Sequence, residues 1–495
     1  MTTKRTAFDK YLAQLNNAAK VLNLDPRILE RLKVPALLVR GKVRVEMDDK
    51  TFKEFTVFRC QHNHARGPTQ GGTRFDLAVC ESEVKFLAAM MTMKNTIDQI
   101  RNGGGKGGIC VDKEPLSLLE GELMCRGYIN VIAPYLGEKV DGPAPDIKTG
   151  PQEMAWFMSE YDRLTGQHNF AQFTGKPLEL GGSLGRGDAT ALGAVYATKA
   201  MMKKLGLKDG LSISIQGFGN AGDFYAKLMS DKKHGGHKII SVSDRSGVIY
   251  KADGFDYADL HKFCYAIVDG KEKKVRKVME YPHKDPLTSE EAELASLKAD
   301  IFAPAAFEDK IDAEMARKIV SLWSKKEAKK EEGFDIPEDT GKHFIVELAN
   351  GPCTEEADAI LSEHGVEVIP DIYSSGGGVF VSSLEKIQGF ENYQWPARRV
   401  GDMLEEQMLH KSFDNLEAVR KEFNLNSMRQ AAMVYAVREV AKAMTLLGGF
   451  HLPYGVILDR PTVVMYQDGR TLDVDGNPYP SMDKYAVLSR EVVLK

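Results

Sequence analysis

Between residues 211 and 244 the chain carries a pattern that few folds accommodate. Leu211, Ile213 and Ile215 alternate with serines, so the stretch reads as a strand. A glycine turn follows at once, Gly217-Phe218-Gly219-Asn220-Ala221-Gly222, and opens a helical run, AGDFYAKLM. A second apolar strand, KIISVSD, closes on Asp244, at about the 20-residue spacing of a dinucleotide-binding unit. The glycines permit a tight turn and close backbone approach. The helix N-terminus then offers free N–H groups and its positive dipole end to a pyrophosphate. Asp244 suits a ribose 2′-OH, which favours NAD, whereas Arg245 suits a 2′-phosphate, which favours NADP. The two cues conflict, so the preference stays open.

More short apolar runs follow at 300–306, 344–350 and 366–370, with helical patterns between them. Strands of this kind predict an α/β fold with a parallel sheet covered on both faces. Residues 188–205 read as a helix with Leu192, Val195, Tyr196, Met202 and Leu205 on one stripe and Gly206 as its C-terminal cap. Upstream, strand-like 55–59 mixes with a helix over 82–95, and a long periodic stretch runs from 428 to 447. The simplest division is a substrate-binding and oligomerisation domain at 1–195 and a Rossmann-like domain at 196–374. Helices from 375 to 495 then pack back on the first domain and carry an extra tail. A cleft between the two lobes is expected to hold the active site.

With 495 residues the chain is long enough for two or three domains. Its net charge of −4 gives no basic field for nucleic acid. No apolar run reaches the roughly 20 residues of a membrane helix, and the first residues read as an amphipathic surface helix rather than a signal peptide. The six cysteines form no CxxC. Reduced thiols, each a small buried hydrophobe, in a cytoplasmic protein are expected. Charge-rich stretches at 269–290 and 324–342 read as excursions from the core fold, the second as a solvated surface segment.

A second constellation lies upstream. Lys106 is embedded in Gly103, Gly104, Gly105, Gly107 and Gly108. So flexible a backbone is costly unless a ligand must approach closely and water must leave. A desolvated ammonium beside other cations has a lowered pKa. Lys94, Arg66 and Arg74 lie nearby in sequence with no matching acidic run, which suggests a site for an anionic small molecule, a carboxylate for choice. Asp146, following two prolines in DGPAPDIK, is a rigidly held carboxylate suited to proton transfer.

These stretches are recognisable together: QHNHARGPTQGGTRF, MTMKNTIDQIRNGGGKGGI, PAPDIKTG, TGKPLELGGSLGRGDAT, GFGNAG, APAA, ELANGP and GGGVFVSSLE, in one order from about residue 40 to 448. The chain resembles the glutamate dehydrogenases of the Glu/Leu/Phe/Val amino-acid dehydrogenase family. That resemblance implies reversible oxidative deamination of an L-amino acid to a 2-oxo acid and ammonia, with NAD or NADP as cofactor, and a homohexamer. It implies that Lys106 polarises the carbonyl and activates water, and that Asp146 shuttles the proton on nitrogen. Lys94 would hold the α-carboxylate, and Gln70, Arg186 and Ser382 would meet the side chain. Thr190, Asn350 and the 217–222 loop, with Asp244 and Arg245, would lie on the cofactor side. No metal is expected, and the HNH of His62 and His64 belongs to a strand of the substrate domain.

Two residues depart from the family pattern. Gln70 stands where glutamate-specific members have a lysine for the distal carboxylate. Losing one charge-assisted contact costs about 1–2 kcal/mol. Ser375 stands where relatives have asparagine near the cofactor. Three readings follow: a glutamate dehydrogenase, a dehydrogenase of another amino acid, or a silent nucleotide-binding regulatory relative. The tail beyond 448 is read as an added strand or a subunit contact.

Overall fold

The computed structural model describes residues 6–268, 271–324, 341–448 and 455–478. The chain divides into two compact units, Met1–Gly187 with Val379–Met403 and Met433–Lys495, and Asp188–Gly378 with Leu404–Ala432. The segment after residue 375 is therefore shared between the units.

The strands in chain order are β1 (Leu37–Glu46), β2 (Phe52–Asn63), β3 (Thr69–Phe75), β4 (Gly103–Ile109), β5 (Asp141–Pro145), β6 (Ser212–Gln216), β7 (Lys238–Asp244), β8 (Gly247–Tyr250), β9 (Tyr265–Val268), β10 (Lys271–Lys274), β11 (Ile301–Pro304), β12 (Phe344–Val346), β13 (Glu367–Ile369), β14 (Val456–Asp459), β15 (Val463–Met465) and β16 (Thr471–Leu472).

The first unit is built on one sheet of order β16-β15-β1-β2-β4-β3-β5, with β14 also paired to β1. β1 alternates buried and exposed residues, as a strand with one wet face does, while the second half of β2 is buried throughout. β3 runs parallel to both β4 and β5. One face packs Val43, Val57, Tyr128, Ile129, Phe157 and Met465 into a hydrophobic core of this unit. The other is covered by the helix Glu81–Ile97, whose Glu81 and Glu83 in the first turn and Lys94 in the last suit its dipole. The tail supplies the strand expected of it: β14 and β15 both run parallel to β1.

β4 corrects one inference. Its glycines were expected to make room for a ligand. At Gly104 the close neighbour is instead the helix Glu81–Ile97, since a Cβ there would fall on the Ala88 carbonyl and the Thr92 amide. The glycine strand draws this helix onto the sheet and so buries Lys106.

In the second unit the sheet order is β13-β12-β11-β6-β7-β8. All its pairs are parallel except β7 with β8. Strand order reverses between β6 and β11, and the crevice beyond the carboxyl ends of such a pair is where doubly wound sheets bind ligands. The helix Ala189–Leu205 ends as expected, with Gly206 at φ 67°. The excursion after 268 contributes β10, which pairs with β9. The charge run at 325–340 lies outside the described residues. No described helix is long and apolar enough to cross a membrane. All six cysteines are free; Cys60, Cys125 and Cys264 are buried as expected, but Cys110 and Cys353 are half-buried and Cys80, at the N-cap position of a helix, is exposed.

Candidate functional site

In the first unit the register of β3, β4 and β5 sets one face of the sheet. Gln70 pairs with both Gly104 and Gly142, and side chains alternate along a strand, so Gln70, Lys106 and Gly142 share that face. Lys106 is buried, and its Nζ is ion-paired with Asp146 Oδ2. Asp146 lies just beyond β5. Its N–H donates to Thr149 Oγ1 at 2.7 Å, and its Oδ1 accepts from Ile147 N–H at 2.7 Å and from Arg74 Nε at 3.1 Å. Arg74 continues the chain, pairing with Glu83 at 2.6 Å.

The electrostatics follow from burial. Desolvation drives the Lys106 ammonium below its ordinary pKa; Asp146 opposes this, while Arg74 and Lys94 reinforce it. Burial pushes the Asp146 carboxyl up, yet Lys106 and Arg74 together hold it well below the usual carboxylate range. Asp146 is thus an anion beside a lysine that surrenders its proton more readily than a free one. This is a proton-transfer pair in a dry strand environment. Burial raises Glu83, with Arg74 opposing.

Gln70 is buried and committed at both ends of its amide. Its Nε2 donates to Thr174 Oγ1 at 3.2 Å, and its Oε1 accepts from Asn102 Nδ2. Lys94 is partly buried at the end of its helix, close enough for its charge to act on Lys106. Arg186 Nε donates to Ser382 Oγ at 2.9 Å.

Glu83, Asn102 and Thr174 were missed from the sequence. No acidic run matches these cations; Glu83 and Asp146 reach Arg74 singly, from separate elements. His62 is a core histidine, with Nδ1 2.8 Å from Thr92 Oγ1 and Nε2 2.9 Å from the Leu32 carbonyl. Burial lowers its pKa to about 4.

In the second unit the glycine turn sits at the reversal between β6 and β11. Gly217 has φ 107°, and a Cβ there would lie 2.7 Å from the Ala306 amide nitrogen. The next helix, Asn220–Ser230, begins at Gly219 with no side-chain cap, so its first-turn amides are open to an anion. Gly219, Asn220 and Ala221 are exposed and Gly222 is buried. The Phe218 ring lies in the core against Tyr265. Its N–H donates to the Ser243 carbonyl at 2.6 Å, and its carbonyl accepts from Lys274 Nζ at 2.9 Å and Tyr265 Oη at 3.2 Å.

Asp244 Oδ1 accepts from Ser246, and its Oδ2 accepts from Lys274 Nζ at 2.7 Å and Val278 N–H at 3.1 Å. Burial opposes these bonds, but they hold its pKa down at about 2. Arg245 is exposed, with its guanidinium 5.6 Å from the Phe307 ring centre. Thr190 and Asn350 are exposed, and the Gly351 N–H beside Asn350 donates to Asp371 Oδ2 at 3.1 Å. The open helix start beside a tight glycine turn, at the sheet's reversal, fits a dinucleotide phosphate.

Residues 181–448 match the family model described as Glutamate/Leucine/Phenylalanine/Valine dehydrogenase, and residues 35–163 match Glu/Leu/Phe/Val dehydrogenase, dimerisation domain. The NAD-specific glutamate dehydrogenase of Clostridioides difficile is 36% identical over 448 residues, covering 90% of this chain and 98% of that protein. The NADP-specific glutamate dehydrogenase A1 of Halobacterium salinarum is 36% identical over 438 residues, covering 88% and 97%. Among solved structures, the hetero-hexameric glutamate dehydrogenase of Thermus thermophilus in its Leu-bound form aligns with a TM-score of 0.76 at 30% identity, covering 90% and 97%.

Proposed function

Because the chain belongs to the Glu/Leu/Phe/Val dehydrogenase family, we propose that it catalyses the reversible, NAD(P)-dependent oxidative deamination of L-glutamate to 2-oxoglutarate and ammonia. The observation that carries this reading is the Lys106–Asp146 ion pair, buried on the sheet face that also presents Gln70. Lys94 binds the α-carboxylate. Gln70, Arg186 and Ser382 meet the substrate side chain. Asp146, an anion, takes a proton from the substrate ammonium, leaving the neutral amine that hydride departure requires. The bound dinucleotide supplies the hydride acceptor. Lys106, which its lowered pKa lets release its own proton to solvent, then takes as a free amine a proton of the water that adds to the imino carbon; Asp146 gives its proton to the amino nitrogen, which leaves as ammonia while the carbinolamine hydroxyl releases its proton to solvent.

On the cofactor side, Gly217, Gly219, Asn220, Ala221 and Gly222 receive the phosphates, and Phe218 anchors the turn from the core. Asp244 and Arg245 address the adenosine ribose, and Thr190 and Asn350 the nicotinamide end. NAD and NADP both remain in play, since one relative above is named NAD-specific and another NADP-specific. We assign substrate binding and assembly to residues 1–195, the nucleotide to 196–374, and support of the first domain to those parts of 375–495 that lie in the first unit. The partners are small molecules, the assembly a homohexamer and the compartment the cytoplasm.

The test is absorbance at 340 nm on mixing the protein with 2-oxoglutarate, ammonium and NADH or NADPH, followed by a screen of twenty amino acids. Oxidation of either cofactor with 2-oxoglutarate is expected. A flat trace there, with turnover of leucine, valine or glutamine in the screen, establishes the second reading, a dehydrogenase of another amino acid. That second reading is favoured by one observation, the uncharged Gln70 with both amide ends already hydrogen-bonded.

A further inference from the structure

The helix Gly376–Glu391 carries a lysine that the mechanism above does not use. Lys386 is only 5% exposed, and its Nζ has no hydrogen-bond partner. A buried ammonium without a partner is strongly unfavourable, so its place on this face asks for a counter-ion. It lies one helical turn beyond Ser382, on the same side of the helix. Ser382 in turn accepts from Arg186.

The tip of Lys386 reaches β5. A Cβ on Gly142 would stand 3.8 Å from Lys386 Nζ. Gly142 pairs with Gln70, and the register places both on the face of Lys106. The ammonium therefore sits on the substrate face of the sheet, beside the residue that lacks a charge. Its neighbour Glu385 cannot neutralise it, because that carboxylate is taken by Lys176 Nζ at 2.7 Å and by the Gly175 amide at 2.8 Å. Asp141 and Glu138 act on it through their charge without hydrogen-bonding it: Asp141 is spent on Arg59 at 2.6 Å, and Glu138 accepts from the Ala171 amide at 2.9 Å.

We infer that Lys386 receives the distal carboxylate of a dicarboxylic amino acid, supplying the charge that Gln70 does not carry. The inference rests on the first unit being the amino-acid site, and it narrows the substrate class to acidic amino acids. An apolar side chain would leave the ammonium unpaired.

The experiment compares the full-length protein with Lys386→Met, Lys386→Gln and the double variant Gln70→Lys/Lys386→Met. Calorimetry measures binding of glutarate and of pentanoate, which has one carboxylate fewer. Steady-state assays compare 2-oxoglutarate with 2-oxopentanoate. Expected are a loss of tenfold or more in glutarate affinity, a change under twofold for pentanoate, and a matching rise in KM for 2-oxoglutarate alone. The double variant regains most of the loss, because the cation returns at a neighbouring position of the same face. Equal losses for both ligands, no loss for either, or no glutarate binding by the unaltered protein would overturn the inference. If Lys386→Met does not fold, Lys386→Gln gives the same comparison. Absence of turnover with every amino acid would instead fail the proposed activity, and the glutarate-to-pentanoate ratio would still decide the role of Lys386.

Discussion

Lys106 and Asp146 are a pair whose environment shifts both groups toward the forms that proton transfer needs. The lysine is desolvated and faces cations as well as an anion, and the carboxylate is flanked by two cations. Lys106→Ala and Asp146→Asn should each lower kcat by about 10²–10⁴-fold, the range for losing a general acid or base. NADH and NADPH affinity, read by fluorescence titration, should stay within about twofold; a comparable loss of cofactor binding would remove their assigned roles. Lys386 permits a second test through pH. Burial, opposed by Asp141 and Glu138, brings its pKa from 10.5 down to about 8. Between those values the unfolded chain holds a proton that the native lysine has released, so native stability gains as pH rises through this window. Below about pH 8 the full penalty applies, on the order of 3 kcal/mol. Lys386→Met should therefore be the more stable protein at pH 7, and denaturant titrations should show that advantage shrinking from pH 8 to 10.5. An advantage independent of pH would mean that the ammonium is not desolvated.

At the scale of elements, what was legible in the chain is what local pattern encodes. β7 begins and ends where its short apolar run does, and the helix Ala189–Leu205 stops at the glycine that can take a left-handed turn. Gln70 was singled out, but not its amide being gripped by Asn102 and Thr174, because those residues come from other loops. Glu83 was invisible as a partner of Arg74, since a helix start and a strand meet only in the fold. The conflict between Asp244 and Arg245 lacks, in the sequence, its third member. Lys274 arrives on β10, in a stretch that reads merely as a polar excursion, and its Nζ lies 2.7 Å from Asp244 Oδ2. Pairing with a cation silences the carboxylate that would otherwise repel a 2′-phosphate. Lys274→Ala should free Asp244 and move the ratio of kcat/KM for NADP over NAD toward NAD by about tenfold, the worth of one charge-assisted contact. A ratio that stays put would show that the hairpin of β9 and β10 does not influence cofactor choice.

On the whole-molecule scale, each unit has its own core, and the tail beyond the family resemblance belongs to the first. β14 and β15 lie alongside β1 and cover backbone groups that would otherwise form a bare sheet edge. Arg40 Nε pairs with Asp459 at 2.7 Å, and Val463 and Met465 are part of a buried core of that unit. The described part of the tail, 455–478, is thus a structural component of this unit, although alternation alone could not distinguish an added strand from a subunit contact. Val463 is fully buried, so Val463→Asp places a carboxylate in that core with no partner provided. The expected cost is about 3 kcal/mol or more. Differential scanning calorimetry with and without NADPH separates the consequences. The first-unit transition should fall by several degrees in the variant. Saturating cofactor, at about 100 times its Kd, should still add about 2.7 kcal/mol to the second-unit transition. Loss of the cofactor shift together with the first transition would mean that the tail supports the nucleotide unit as well. Two transitions responding separately would establish that the added strands serve the first unit alone.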